Sequence, residues 1–341
     1  MRLSVLDQST TVSGRSPDES IRESLALARH CEALGYHRYW LAEHHASPSQ
    51  AGTAPEILMA AIAATTQRIR VGSAGVMLPH YAPLKVAEVF RVLEAIAPGR
   101  IDMGFGRAPG SDGRTALALN PDAAHAAEQF PAMVRDVLAW TRGEALPEGH
   151  PFASIRAEPA GPTAPEPWIL GSSAYGAQVA AHFGVPYCFA HFITDGQGAA
   201  EALDVYRDRY RPSAAFPEPF PALAVWAMAA ETEAEVERQY ASRASWRLGR
   251  DRGVYTPLPS PEEAAAYPCT DTERHRMQAL RQTALTGTGE VVMEKLRALG
   301  RAHAVEEIAI LTTMHDSAAR QHSYRLTSAA LARDNILLAA E

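Results

Sequence analysis

Short apolar runs recur along the chain, and each is followed by a longer stretch whose apolar positions fall at helical spacing. Residues 3–6 read as a first strand, and 17–34 as a helix with Ile21, Leu25, Ala28 and Leu34 on one face, ended by Gly35. Residues 38–42 give a second strand that runs into Glu43-His44-His45. The helix after it spans 53–64, with Thr53 as its cap and Pro55 and Glu56 in its first turn. A third strand over 69–77 leads to a helix over 84–96, and a fourth over 101–105 leads to a helix over 122–140. Residues 143–166, rich in Pro, Gly and Glu, carry no period. The alternation then resumes with strands at 168–170, 187–192 and 222–228 and helices at 175–183, 198–210 and 231–248. A second aperiodic stretch, 249–287, is long for a structureless loop, which predicts a lid or a partly helical insertion. A helix at 290–299, a strand at 307–311 and a helix at 317–339 complete the series.

Strand followed by helix, repeated eight times, predicts an α/β fold with parallel strands and crossover helices: a TIM (β/α)8 barrel. The barrel is expected to form one domain over 1–341, with insertions after the fourth and seventh strands. An open doubly wound sheet is the alternative, but LDQSTTVSG after the first strand is not the GxGxxG fingerprint of dinucleotide binding. In a closed barrel the chemistry gathers at the carboxyl ends of the strands.

Composition narrows the picture. With 47% hydrophobic and 21% charged residues and a net charge of -7, the chain has the profile of a folded enzyme and no global attraction for nucleic acid or an anionic membrane. The opening MRLSVLDQST has no basic segment followed by a long apolar run, so cytoplasmic residence is expected. Cys31, Cys188 and Cys269 are odd in number and form no CxxC pair, and are expected to be inert thiols rather than disulfides or metal ligands.

Polar groups then stand out at three strand ends. Glu43, His44 and His45 follow the second strand, where alternation lets some of them enter a barrel mouth while another braces the loop. Such a set suits proton transfer or the holding of a cofactor amide. Structural hydrogen bonding and a zinc site are the rivals, the latter without HExxH spacing. Gly72-Ser73-Ala74-Gly75 would let a flat ring come close to the backbone, or simply pack tightly against a helix. Arg107, between glycines after the fourth strand, can present a donor fork to a phosphate. Gly171-Ser172-Ser173-Ala174-Tyr175-Gly176 opens a helix and can receive an anion, or Ser173 can merely cap it.

Taken in order, LSVLDQS at 3–9, GYHRYWLAEHH at 35–45, GTAPEIL at 52–58, RIRVGSAGVMLPHYAPLKVAE at 68–88, GRIDMGFGRAPGSD at 99–112, WILGSSAYGAQVAAHFGVPYCFAHF at 168–192 and TGTGEVVMEKLRAL at 286–299 resemble the bacterial luciferase-like flavin-dependent oxidoreductases, in particular their MsnO8-like branch. The resemblance covers essentially the whole chain. It implies FMN over the strand carboxyl ends, used in reduced form with O2 on a small organic substrate through a flavin C4a-(hydro)peroxide. By similarity Glu43 and His44 stand at the reactive ring, His45 braces the site or touches flavin less directly, and Ala74-Gly75 is a non-prolyl cis bond beneath the ring. Arg107 and the loop of Gly171, Ser172, Ser173, Tyr175 and Gly176 would hold the phosphate. A homodimer is implied, with a separate NAD(P)H:flavin reductase as electron source or direct nicotinamide oxidation in its place. The luciferases' reactive cysteine is absent at Phe105-Gly106, which argues against light emission from long-chain aldehydes. A deazaflavin-dependent dehydrogenase of the same superfamily and a non-catalytic flavin-binding barrel are the alternative functions.

Overall fold

The computed structural model describes residues 1–338, with side chains described as far as Arg333. In chain order the elements are β1 (Arg2–Asp7), α1 (Pro17–Ala33), β2 (Arg38–Leu41), α2 (Pro55–Thr65), β3 (Arg70–Ser73), β4 (Val76–Met77), α3 (Pro83–Ile96), β5 (Ile101–Gly106), α4 (Gly113–Leu119), α5 (Ala123–Glu128) and α6 (Phe130–Arg142). They continue with β6 (Glu166–Gly171), α7 (Ala174–Phe183), β7 (Tyr187–Ala190), α8 (His191–Thr194), α9 (Ala199–Asp208), β8 (Pro221–Ala229), α10 (Glu233–Asp251), α11 (Pro261–Ala265), α12 (Asp271–Thr283), β9 (Leu285–Gly287), α13 (Gly289–Ala302), β10 (Glu307–Leu311) and α14 (Ser317–Leu338).

Strands β1, β2, β3, β5, β6, β7, β8 and β10 pair in parallel in that order, and β10 pairs with both β8 and β1, so the sheet closes on itself. This is the predicted eight-stranded α/β barrel. Short β4 adds to the end of β5, and β9 to the end of β8. Alternation along each strand divides the side chains between two compartments. Outward-facing Val5, Tyr39, Val71, Met103, Ile169 and Ile310 pack beneath the helices, while Leu6, Trp40, Trp168, Ala224 and Leu311 fill the barrel interior.

The amino-terminal end of the barrel is closed by charge. Arg38 bonds Asp102 and Glu307, both at 2.8 Å, and Glu166 at 2.9 Å, and Arg70 joins Asp102 at 2.6 Å. Trp40 and Trp168 cover this network, their ring centroids 4.9 Å apart, with the Trp40 indole donating to Asp102 at 2.8 Å. A plugged floor leaves the carboxyl ends as the open face.

Several predicted boundaries are corrected. The apolar run 69–77 is not one strand: it breaks at Ala74-Gly75, whose peptide bond is cis, and resumes as β4 against β5. The predicted helix 122–140 belongs to a set of three, α4 to α6; α4 is capped by Asp112, and Pro131 sits in the first turn of α6. Residue 54 rather than Thr53 stands at the cap of α2, and no side chain bonds there. The strand predicted to reach 192 turns helical at His191. The insertion 249–287 is partly helical, holding α11 and α12, and its last residues form β9. The final helix, predicted to 339, is helical to Leu338, and its last predicted residue lies outside the described residues.

Candidate active site

At the carboxyl end of the barrel lies a cavity of about 520 Å³, inside the ~300–1,000 Å³ usual for small-molecule sites. Strand ends β2, β3, β5 and β6 bring Glu43, His44, Ala74, Gly75, Arg107 and Gly171 to its wall. The first turn of α7 adds Ser172, Ser173, Tyr175 and Gly176. Of the predicted site residues, only His45 does not border it.

His45 acts on the cavity through Glu43. Its Nε2 lies 2.7 Å from Glu43 Oε1, which also accepts the Tyr81 hydroxyl at 2.7 Å, while Glu43 Oε2 accepts the Met77 amide at 3.0 Å. A carboxylate 1% exposed and held by this many donors is fixed in position. Tyr81 was not foreseen. Burial first, and its bond to Glu43 second, raise its phenol well above the usual value, so it remains a donor.

His44 sits beside this set with its amide bonded to Gly52 O at 2.9 Å. Burial, reinforced by the positive charge of Arg250, lowers its imidazole to about 4. Its ring is neutral at physiological pH, and its buried Nδ1 has no protein partner. A neutral, unsatisfied imidazole on a cavity wall can accept a proton or bond a ligand.

The backbone beside His44 is built for close approach. A Cβ on Gly104 would lie 2.0 Å from Ser73 O, and one on Gly75 would lie 2.8 Å from the Phe105 carbonyl carbon. Strands β3 and β5 therefore meet more tightly than any side chain permits, and Ala74 and Gly75 border the cavity. On the neighbouring strands, the Arg107 guanidinium stacks 4.2 Å from the Tyr175 ring centroid and is otherwise exposed. Ser173 occupies the cap position of α7 without capping it through its own side chain, and its carbonyl accepts the Tyr187 hydroxyl at 3.1 Å. Amides at a ten-residue helix start, next to a guanidinium, are donors that could receive a phosphate.

Three further residues on the wall escaped sequence reading: Arg243, Arg247 and Arg250, all on α10. Their spacing in RASWRLGRDR is a helical face, yet a charged face on a helix ordinarily meets solvent. Phe192 and Tyr255 also border this cavity, whereas Tyr187 and Phe189 are buried in the barrel shell. Among the described residues no cluster of three or more His, Cys, Asp or Glu could hold a metal, and no helix is long and apolar enough to cross a membrane.

A closed parallel barrel whose open end gathers a fixed carboxylate, a neutral histidine and cationic donors around one cavity has the form of a (β/α)8-barrel enzyme. The chain belongs to the luciferase-like monooxygenase family, which it matches over residues 1–306. It is 36% identical to the N-acetyl-S-alkylcysteine monooxygenase of Bacillus subtilis (strain 168), over 97% of this chain and 98% of that protein. The crystal structure of apo-MsnO8 superposes with a TM-score of 0.88 at 37% identity, covering 97% of this chain and 98% of that one. The oxygenating constituent of 3,6-diketocamphane monooxygenase from Pseudomonas putida, solved in complex with FMN, shares the fold at a TM-score of 0.66 and 19% identity, over 96% of each chain.

Proposed function

We propose that this protein is an FMN-dependent monooxygenase acting on a small organic molecule, with the flavin phosphate held by Arg107 and the Gly171, Ser172, Ser173, Tyr175, Gly176 loop. The isoalloxazine would lie along Ala74-Gly75 and face Glu43 and His44. The observation that carries this reading is that one cavity joins Arg107 and the start of α7, the Ala74-Gly75 backbone, and Glu43 and His44. When bound, reduced FMN supplies the two electrons with which O2 is split, one oxygen entering the substrate and the other leaving as water.

The chain's own residues would do the rest. Arg107 and the α7 amides neutralise the phosphate and fix the ring's position. Glu43, held by His45, Tyr81 and Met77, offers its carboxylate to the polar edge of the ring. His44, neutral at working pH, takes or holds a proton next to the reacting face. Residues of α10 and Tyr255 wall off water at the mouth. His45 is here a positioning residue rather than a flavin ligand.

The same reading takes the chain as one barrel domain working as a homodimer in the cytoplasm, with its reduced flavin delivered by an NAD(P)H:flavin reductase. Equilibrium titration with FMN and with riboflavin tests it. Wild type should prefer FMN, and Arg107→Gln should weaken FMN ~10-fold or more, the worth of a charge-assisted bond, while leaving riboflavin unchanged. Equal affinity of wild type for both flavins would remove the phosphate site. Rapid FMN reduction by NADH or NADPH alone would remove the reductase.

A further inference from the structure

The second charged face of the cavity has no counterpart in the flavin site. On α10, Arg243 stacks 4.9 Å from the Trp226 ring centroid and 5.4 Å from that of Trp246, and Arg250 stacks 4.8 Å from Trp246 and 5.5 Å from Tyr255. The nearby carboxylates are taken: Arg247 holds Asp195 at 2.9 Å and Asp251 at 3.3 Å, and Arg276 also holds Asp251, at 3.2 Å. Among the described residues neither Arg243 nor Arg250 has an ion pair or a hydrogen bond to protein. Burial first, then Arg247 and Arg250, lower the Arg243 guanidinium to about 9, which still leaves it charged at neutral pH.

A partly desolvated guanidinium held by ring faces alone keeps its donors available, and leaving them unmatched is costly. Two of them on one cavity wall, with apolar Phe192 and Ile193 nearby, describe a receptor for a planar anion attached to an apolar body. The phosphate receptor at Arg107 and α7 stands on different elements, so the cavity is equipped for two anions.

We propose that Arg243 and Arg250 form a carboxylate-binding subsite, and that the substrates of this enzyme are small organic carboxylates whose apolar portion is presented to the reacting face beside His44. This rests on the monooxygenase reading above. The planar fork of each arginine favours a carboxylate, and both arginines rest against the Trp246 ring.

The test is calorimetric titration of the full-length protein, with and without FMN, using hexanoate and 3-phenylpropanoate, each against its primary amide. The carboxylates should bind at least tenfold tighter than the amides. Arg243→Gln and Arg250→Gln should each lower that ratio at least fivefold while FMN affinity stays within twofold. Circular dichroism checks the fold of each variant; should Arg243→Gln misfold, Arg250→Gln decides. Carboxylates that fail to bind wild type, or bind no better than the amides, overturn the subsite, as does an unchanged ratio in the folded variants. A tenfold loss of FMN affinity with the ratio preserved also overturns it, assigning the arginines to the flavin phosphate instead. Wild type that binds carboxylates selectively but not FMN sinks the flavin reading alone.

Discussion

At the smallest scale, the role proposed for His44 makes a sharp statement about pH. Its imidazole, lowered to about 4 by burial and by Arg250, is neutral across the physiological range. A pH profile of kcat/KM should therefore be free of a histidine inflection near ~6.5 that belongs to His44, and His44→Ala should lower kcat/KM ~100-fold or more, the range of a positioned proton-transfer group. Linkage gives the matching stability effect. A histidine whose folded value lies below its unfolded one binds fewer protons when folded, so stability is intact above the unfolded value and falls as pH drops toward about 4. Urea unfolding of wild type and His44→Gln at several pH values should show a shallower acid loss in the variant. A wild-type inflection near neutrality that vanishes in His44→Ala would contradict this assignment.

At the scale of elements, tight seams between strands matter as much as side chains. Gly104→Ala would drive a Cβ into Ser73 O at 2.0 Å, a backbone atom that cannot swing aside. Overpacking a core costs ~1–3 kcal/mol, and a rigid contact of this kind should reach the upper end, seen as a lower midpoint in thermal unfolding. The barrel strands were legible in the sequence because buried parallel strands are short apolar runs between turn residues. The interruption at Ala74-Gly75 was not legible as a break, since Val71 to Met77 stays apolar on both sides and only the residue pattern of the family pointed to it. The 122–140 run also read as one helix, because alanine-rich sequence supports helix on either side of a break. Glu43, His44 and Arg107 could be picked out because polar groups at strand ends are conspicuous. Arg243 and Arg250 could not: on a helix the same residues look like a solvated face, and only the packing of α10 over the mouth turns them inward. Tyr81 was hidden for a similar reason, since nothing near it in sequence tells that its hydroxyl reaches Glu43.

Across the whole molecule, the buried ion-pair floor and the cavity proposed to hold the flavin occupy opposite ends of the barrel. The floor depends on Arg38, 3% exposed, which faces Asp102, Glu166 and Glu307. Burial on its own would raise the Asp102 carboxyl, but Arg38 and Arg70 hold it below its ordinary value. Removing one partner of such a buried set costs ~3–5 kcal/mol by leaving charge uncompensated. Arg38→Met should therefore lower the unfolding free energy by that order, measured in urea, with FMN affinity in the folded protein unchanged because the proposed flavin site lies at the other end. Comparable loss of FMN affinity would show that the two ends are not separable.

The central claim is the seating of the flavin at the carboxyl end of the strands, and a crystal structure grown with FMN tests it most directly. The phosphate should lie within hydrogen-bond reach of Arg107 and the α7 amides, with the ring along Ala74-Gly75 and facing His44. A ring bound elsewhere, or a mouth that stays empty at saturating FMN, would contradict it.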